Sequence, residues 1–460
     1  MKQSRGNFSG RLGLILASAG SAVGLGNLWR FPTECGKNGG SAFLIIYLAC
    51  VIVFGLPVMV SEFMIGRSAR VSVGRAYDVL SPRTPWKWSG RMQVLTPLII
   101  LCFYNVVAGW TLWYTGAAAV DYFPTLASQG DAQVFGQFFQ TFVGSWWQQI
   151  VCLIIFSLLT HVVIVQGVSK GIERASKLMM PGLFILLLVL VGCALFMSGA
   201  KSGLAFLFQP DFSKINSSVI LSAMGQAFFS LSLGMGILTT YASYFRDDAN
   251  LGKSAISICV IDTLVALLCG MFIFPTVFTA GIEPTAGPSL LFETLPSVFQ
   301  QAFGGNHILA YVMSLSFFVL LVLATLTSAI SVHEAITSYV AEAFHLSRKS
   351  AARIVTLITT SLGIFCALSL GAGADWLTWG GRSLFDWFDY ITAKWMLPLA
   401  GFFISIYAGW WLSKRVWWVQ MTNAGTRQFP FFSIFFFMVR WVCPVGILLI
   451  FLNELGVFGG

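Results

Sequence analysis

Residues 17–32, ASAGSAVGLGNLWRFP, combine chemistry-bearing side chains with glycine in a way that no ordinary helix favours. Gly20, Gly24, Gly26 and Asn27 fall within eight residues of a long apolar segment, and Arg30 follows with no adjacent acidic partner. Each interior glycine costs a soluble helix about 1 kcal/mol relative to alanine. Residues 229–240, FSLSLGMGILTT, repeat the design, with Gly234 and Gly236 interrupting a second hydrophobic run. Asp262 adds a carboxylate inside an apolar stretch, where an ionisable group is a functional hypothesis by default. A helix broken at membrane depth frees N–H and C=O groups that can face ions and polar solutes. Close helix packing is the other use of such glycines, because small residues let neighbouring helices approach. Asn27, Arg30 and the second interrupted run favour a binding site. The chemistry implied is reversible ligation rather than enzyme catalysis: the sequence offers no His/Cys metal cluster and no nucleophile–base set.

The elements that must position these residues are membrane spans. The 460 residues are 57% hydrophobic and 10% charged, against about 25% charged in soluble domains. The nine cysteines are scattered singly through apolar segments and read as small core residues, without a disulfide framework or metal site. The apolar run from Leu12 continues into Arg30-Phe31-Pro32 without a small-residue cleavage site, so no signal peptide is expected. Eleven spans are predicted, at 12–36, 41–66, 92–120, 148–167, 176–198, 218–245, 253–280, 308–342, 352–371, 388–412 and 430–453.

Of 27 basic residues, 20 fall in the tail and loops on one side of these spans, while the opposite loops 121–147 and 281–307 have none. The N-terminus is therefore expected in the cytoplasm and the C-terminus outside. The +9 net charge is a topology signal, and no nucleic-acid partner is expected. The basic 67–91 loop, with Trp86 and Trp88, suits an amphipathic helix lying on lipid headgroups. The Gly- and Pro-bearing loop 281–307 suits a re-entrant external lid. Because each five-span group starts with an interrupted helix, an inverted repeat is expected: residues 1–200 (spans 1–5), 201–415 (spans 6–10), and an accessory eleventh span in 416–460.

RLGLILASAGSAVGLGNLWRFP followed by NGGSAF resembles the opening of the neurotransmitter:sodium symporters, in their bacterial amino-acid branch with the LeuT-type fold. The likeness continues through Tyr104 before Gly109-Trp110, GQAFFSLSLGMG at 225–236, TYASYFRDD at 240–248 and LATLTSAIS at 323–331. It implies an all-α membrane protein with broken helices 1 and 6, in the cytoplasmic (inner) membrane of a bacterium. The twelfth span of many relatives is missing, which implies a monomer or weak dimer.

Two sodium ions are implied, and hard cations take oxygen ligands of the kind that broken helices supply. The first would use the Ala22 carbonyl, Asn27, Ser230 (Thr in many relatives) and the substrate carboxylate. The second would use carbonyls of Gly20, Val23 and Ala324 with the hydroxyls of Thr327 and Ser328. Asp262 stands where chloride-dependent relatives have Asn, and Ala266 stands where they have Ser. The Asp262 carboxylate would thus replace chloride, ligate sodium in addition, and allow proton return on the empty carrier. The substrate carboxylate would meet the Leu25 and Gly26 amides and the Tyr104 hydroxyl. Gly24 stands where amine carriers have Asp, which favours a zwitterion.

Ala22, Ile100, Phe229, Ser230, Ser232, Met235, Ser328 and Val332 complete the implied pocket. Met235 replaces the Phe common in relatives tuned to aliphatic substrates, so a bulky L-amino acid such as Trp, Tyr, Phe or Leu is expected. The resemblance puts an outer gate at Arg30, Asp389 and Gln226, with Phe229 and Tyr104 as an apolar lid. It puts an inner gate at Arg5 and Glu342, braced by Ser243 and Tyr244, with Phe8 where relatives have Trp. Glu62 is expected to hydrogen-bond the broken backbone of span one. The reading is a chloride-independent Na⁺/amino-acid symporter working by alternating access. Its rivals are a proton-coupled carrier or exchanger of the same fold, and a non-transporting amino-acid sensor.

Overall fold

Val23 breaks the first helix. Arg11–Ala22 stops there, where φ −72° and ψ 105° are extended, and the chain becomes helical again as Gly26–Arg30 and Phe31–Lys37. The two halves meet at 51°. The computed structural model describes residues 7–129, 133–281, 290–303, 305–454 and 456–457. A second break separates Ser217–Ser230 from Ile237–Ala242. Between them Ser232, Gly234 and Gly236 have φ of 53°, 80° and 68°. A Cβ on Gly234 would stand 2.9 Å from the Leu397 carbonyl, and one on Gly236 would stand 2.9 Å from that of Gln93. Glycine there serves both the left-handed turn and the close approach of neighbouring backbone.

Continuous helices brace the breaks. Lys87–Ala119 and His307–Ala343 pack along each other, and the latter, 37 residues long, spans roughly 55 Å. The first half, Arg11–Ala22, lies against His307–Ala343 and Leu251–Thr279. Ser41–Cys50 and Leu56–Ala69 support the two halves of the second broken element, one half each.

The described residues are predominantly helical, with nine helices long and apolar enough to cross a bilayer, or ten if the bent first pair is one span. The count differs from the eleven expected because residues 218–245 form two helices, each too short to cross alone. The 67–91 region contains a short helix with one face buried. Val73–Leu80 tucks under the bundle, burying Val73, Gly74, Ala76 and Tyr77, with the Tyr77 ring 4.7 Å from that of Tyr407. Trp86 packs edge-on against Tyr407 at 5.0 Å, and of the two tryptophans only Trp88 is exposed.

In the 281–307 region, residues 282–289 and 304 lie outside the described residues. Leu295–Phe303 buries Leu295, Pro296, Val298 and Phe299, and Phe292 stacks on Phe139 at 5.7 Å. Gly380-Gly381 closes a small hairpin in which Thr378 pairs with Ser383.

The fit of these helices is tightest at glycine. A Cβ on Gly66 would collide with the backbone carbonyl of Thr239, in the Ile237–Ala242 half of the second broken element. Gly192 has open space around it. Gly66→Ala is expected to destabilise the protein by about 1–3 kcal/mol. Gly192→Ala should be neutral or stabilising by up to ~1 kcal/mol. Thermal unfolding of the two variants in detergent checks the contrast.

Candidate ion and substrate site

Asp262 sits at the centre of a buried polar cluster. Asn27 Nδ2 donates to Asp262 Oδ1 (2.8 Å), to the Asp262 carbonyl (3.1 Å) and to Ser230 Oγ (3.2 Å). Ser230 Oγ donates to Asp262 Oδ2 at 2.8 Å. The Tyr47 hydroxyl approaches Ser230 Oγ at 3.4 Å and Asp262 Oδ2 at 3.5 Å. All four residues are buried, so the carboxylate is surrounded by donors in a region closed to water. Three of them were legible from sequence. Tyr47 was missed, although a single phenol in the run SAFLIIYLAC is the signal that could have found it.

The second expected ligand set also converges. Ser328 Oγ lies 3.2 Å from the Val23 carbonyl and 3.5 Å from that of Gly20, while Thr327 Oγ1 lies 3.0 Å from that of Ala324. A Cβ on Gly20 would stand 3.3 Å from the Thr327 Cβ. The Ser328 hydroxyl thus reaches across the first break to two freed carbonyls, while the Thr327 hydroxyl bonds back to the Leu323 and Ala324 carbonyls of its own helix; oxygens of this kind are what a hard cation takes.

Between the clusters, a Cβ on Gly24 would stand 2.5 Å from Ser328 Oγ and 3.4 Å from Tyr104 Oη. One on Gly26 would stand 3.3 Å from the Phe229 ring. Tyr104 Oη is buried and has no hydrogen-bond partner among the described residues. Such a group is costly unless something polar meets it. Ile100, Met235 and Val332 are buried in the same apolar core.

The backbone freed by the breaks is met by side chains. Asn27 Oδ1 accepts from the Gly24 amide at 3.2 Å, and Gln226 Nε2 donates to the Gly26 carbonyl at 3.0 Å. Ser232 Oγ donates to the Ser21 carbonyl at 2.9 Å, tying one break to the other. Glu62 corrects an expectation: its carboxylate accepts from the Gly234 amide (2.8 Å) and from the Thr239 amide and hydroxyl (3.3 and 3.1 Å). It serves the second break rather than the first, because the helix carrying it packs on Ile237–Ala242.

The family model described as "Sodium:neurotransmitter symporter family" matches residues 5–127 and 134–458. The chain belongs to this family. It is 36% identical to the uncharacterized sodium-dependent transporter YhdH of Bacillus subtilis, over 98% of each chain. It is 32% identical to an uncharacterized sodium-dependent transporter of Haemophilus influenzae, over 98% of this chain and 99% of that one. A crystal structure of MhsT in complex with L-phenylalanine matches with a TM-score of 0.88 at 38% identity, covering 98% of this chain and 100% of that one. The chain is thus a sodium-dependent, multi-pass membrane symporter with a LeuT-type fold, and its family is one of transporters rather than enzymes.

The symporter's two ends are built differently. At the expected outer gate, the Arg30 guanidinium lies over the Phe229 ring, 4.4 Å from its centroid, and Asp389 is exposed. No ion pair joins Arg30 to Asp389 among the described residues; Arg30 is taken up by the aromatic face. At the other end, side chains pack around the N-terminal segment. Phe8 is buried edge-on against Tyr241 (5.8 Å), Tyr244 (6.3 Å) and Phe245 (6.4 Å). Ser9 N donates to Glu173 Oε2 at 2.8 Å, and Lys177 pairs with the same carboxylate at 2.6 Å. Arg5 lies outside the described residues. Glu342 accepts from the Ser72 amide (2.9 Å) and hydroxyl (2.7 Å), and Ser243 bonds back to the Thr240 carbonyl.

His333 and Glu334 lie next to each other, both buried, in His307–Ala343. His333 is satisfied by hydroxyls, Thr356 at 2.9 Å and Thr337 at 2.8 Å. Glu334 is fully buried and paired with Arg348, whose Nη1 and Nη2 lie 3.0 and 2.5 Å from its oxygens. The Tyr244 hydroxyl donates to Glu334 Oε1 at 2.7 Å, and Arg348 Nε donates to the Ile164 carbonyl at 2.9 Å. The pair was missed because Arg348 reads as an ordinary basic loop residue. Removing one partner of a buried pair strands the other, at a cost of about 3–5 kcal/mol. Arg348→Met should therefore lower thermal stability in detergent markedly, and adding Glu334→Gln should restore most of it. Equal unfolding temperatures for the single and double variants would show that the pair is not coupled.

Proposed function

We propose that the protein imports a hydrophobic or aromatic L-amino acid with two sodium ions, independently of chloride. The observation that carries this reading is the Asp262 carboxylate between Asn27, Ser230 and Tyr47. It supplies a fixed negative charge beside the first proposed ion site, formed by the Ala22 carbonyl, Asn27, Ser230 and Asp262 itself. Gly20, Val23, Ala324, Thr327 and Ser328 would hold the second ion. The unpartnered Tyr104 hydroxyl and the Leu25 and Gly26 amides would bind the substrate carboxylate, as half-helix N-termini favour anions. Bound beside Asn27, that carboxylate would complete the first ion's shell, so that ion and substrate stabilise each other. Ile100, Phe229, Ser232, Met235 and Val332 would enclose the side chain. MhsT, 38% identical and solved with L-phenylalanine, supports an aromatic substrate.

Arg30, Gln226 and Asp389 would close the outer side by trading the Arg30–Phe229 contact for an ion pair. Arg5, Ser243, Tyr244 and Glu342 would close the inner side. A proton on Asp262 would neutralise the empty carrier on its return. Two sodium ions crossing ~100 mV supply roughly 4.6 kcal/mol, enough for about thousandfold accumulation before any sodium gradient is added. A returned proton subtracts about half of that electrical term. A cytoplasmic N-terminus and an inverted repeat of 1–200 with 201–415 belong to the same reading.

Uptake of radiolabelled Phe, Trp, Tyr and Leu into proteoliposomes tests it. Uptake is expected with an inward Na⁺ gradient, not with K⁺, and should be unchanged when gluconate replaces chloride. Asp262→Asn should become dependent on external chloride. Wild-type uptake lost without chloride would remove the role given to Asp262, and equal uptake in K⁺ would remove sodium coupling.

A further inference from the structure

We propose that the basic end of the bundle holds a site for the phosphodiester headgroup of an anionic phospholipid, in the cavity beneath the N-terminal segment. This cavity of about 250 Å³ is lined by Phe8, Arg11 and Leu14 on one side and by Arg246, Asp248 and Arg427 on the other. Three chain segments thus bring three guanidiniums to one space. Arg246 Nε meets Asp248 Oδ1 at 3.2 Å, and Arg427 Nη2 donates to the Asp248 carbonyl at 3.0 Å. Arg11 makes no hydrogen bond or ion pair among the described residues. The single carboxylate leaves two positive charges in excess, and most of the guanidinium N–H groups are unspent. Arg67 stands behind, within electrostatic range of Arg427, its own donors used by Ala249, Gln420 and Asn423.

Planar guanidinium forks match phosphate oxygens, and several converging on one cavity are a phosphate-recognition arrangement. The surroundings favour a lipid as its source. Leu12, next to Arg11, is 62% exposed, and Phe8 and Leu14 give the cavity an apolar wall. Basic pockets between membrane helices on the positively charged face bind anionic headgroups.

The site also bears on the transport cycle. Phe8 is a wall of the cavity and, through its edge-on contacts with Tyr241, Tyr244 and Phe245, the plug of the inner side. Undocking the N-terminal segment removes Phe8 and Arg11 from the site. A headgroup bridging Arg11 to Arg246 and Arg427 therefore binds the docked state better, and by linkage favours it.

Native mass spectrometry of the full chain, released from phosphatidylcholine nanodiscs containing phosphatidylglycerol, tests the binding independently of transport. The wild type should retain phosphatidylglycerol in preference to phosphatidylcholine. Arg11→Gln, Arg246→Gln and Arg427→Gln should each weaken retention by about fivefold, and the triple variant should abolish the preference. Lys349→Gln, which removes an exposed charge outside the cavity, should leave it intact. Unchanged retention in a monodisperse triple variant would overturn the site. Inorganic phosphate binding as tightly as the lipid would overturn its assignment to lipid.

Discussion

Backbone hydrogen-bonding groups cannot be left unmet inside a membrane, and this fold deliberately frees several of them. In hydrocarbon each unsatisfied N–H or C=O costs several kcal/mol. The two breaks at 23–25 and 231–236 are therefore stable only because named side chains meet them. Asn27 takes the Gly24 amide, Gln226 the Gly26 carbonyl, Ser232 the Ser21 carbonyl, Ser328 the Val23 carbonyl and Glu62 the Gly234 amide. These contacts cross between elements far apart in sequence, so the breaks and the bundle around them specify each other.

The same side chains form the proposed site. Asn27 braces the first break and also donates to Asp262; Ser328 braces it through the Val23 carbonyl. In this reading an arriving cation competes for oxygens already turned inward, so little of the site must be built on binding. The two ends contrast with this rigid centre. At the basic end Phe8 packs against Tyr241 and Glu334 pairs with Arg348, whereas at the other end Arg30 rests on the Phe229 ring.

Much of this was legible in the residues. Glycines in an apolar run signal a break because they oppose helix formation there, and a lone carboxylate in a span signals function because burial needs a compensating partner. Asn27, Ser230 and Asp262 accordingly come together as the motifs imply. What was illegible depended on packing. Glu62 could not be assigned to a break from sequence, because the choice turns on which helix its own helix packs against. Arg348 looked like a topology charge until the fold folded it back onto Glu334. An amphipathic pattern alone does not say whether lipid or protein covers the apolar face of Val73–Leu80, and protein covers Val73, Ala76 and Tyr77. Gly234 and Gly236 marked the interruption in residues 218–245, where the structure has two helices, although the left-handed turn at Ser232 carries no glycine to signal it.

The central claim is that ions and substrate are coupled through the cluster around Asn27 and Asp262. The most direct measurement is L-phenylalanine affinity in detergent as a function of sodium concentration, paired with sodium affinity at varied phenylalanine. Coupling by direct contact predicts that each ligand tightens the other by the same factor, since linkage is reciprocal. Phenylalanine affinity that is the same in sodium and in potassium would contradict it.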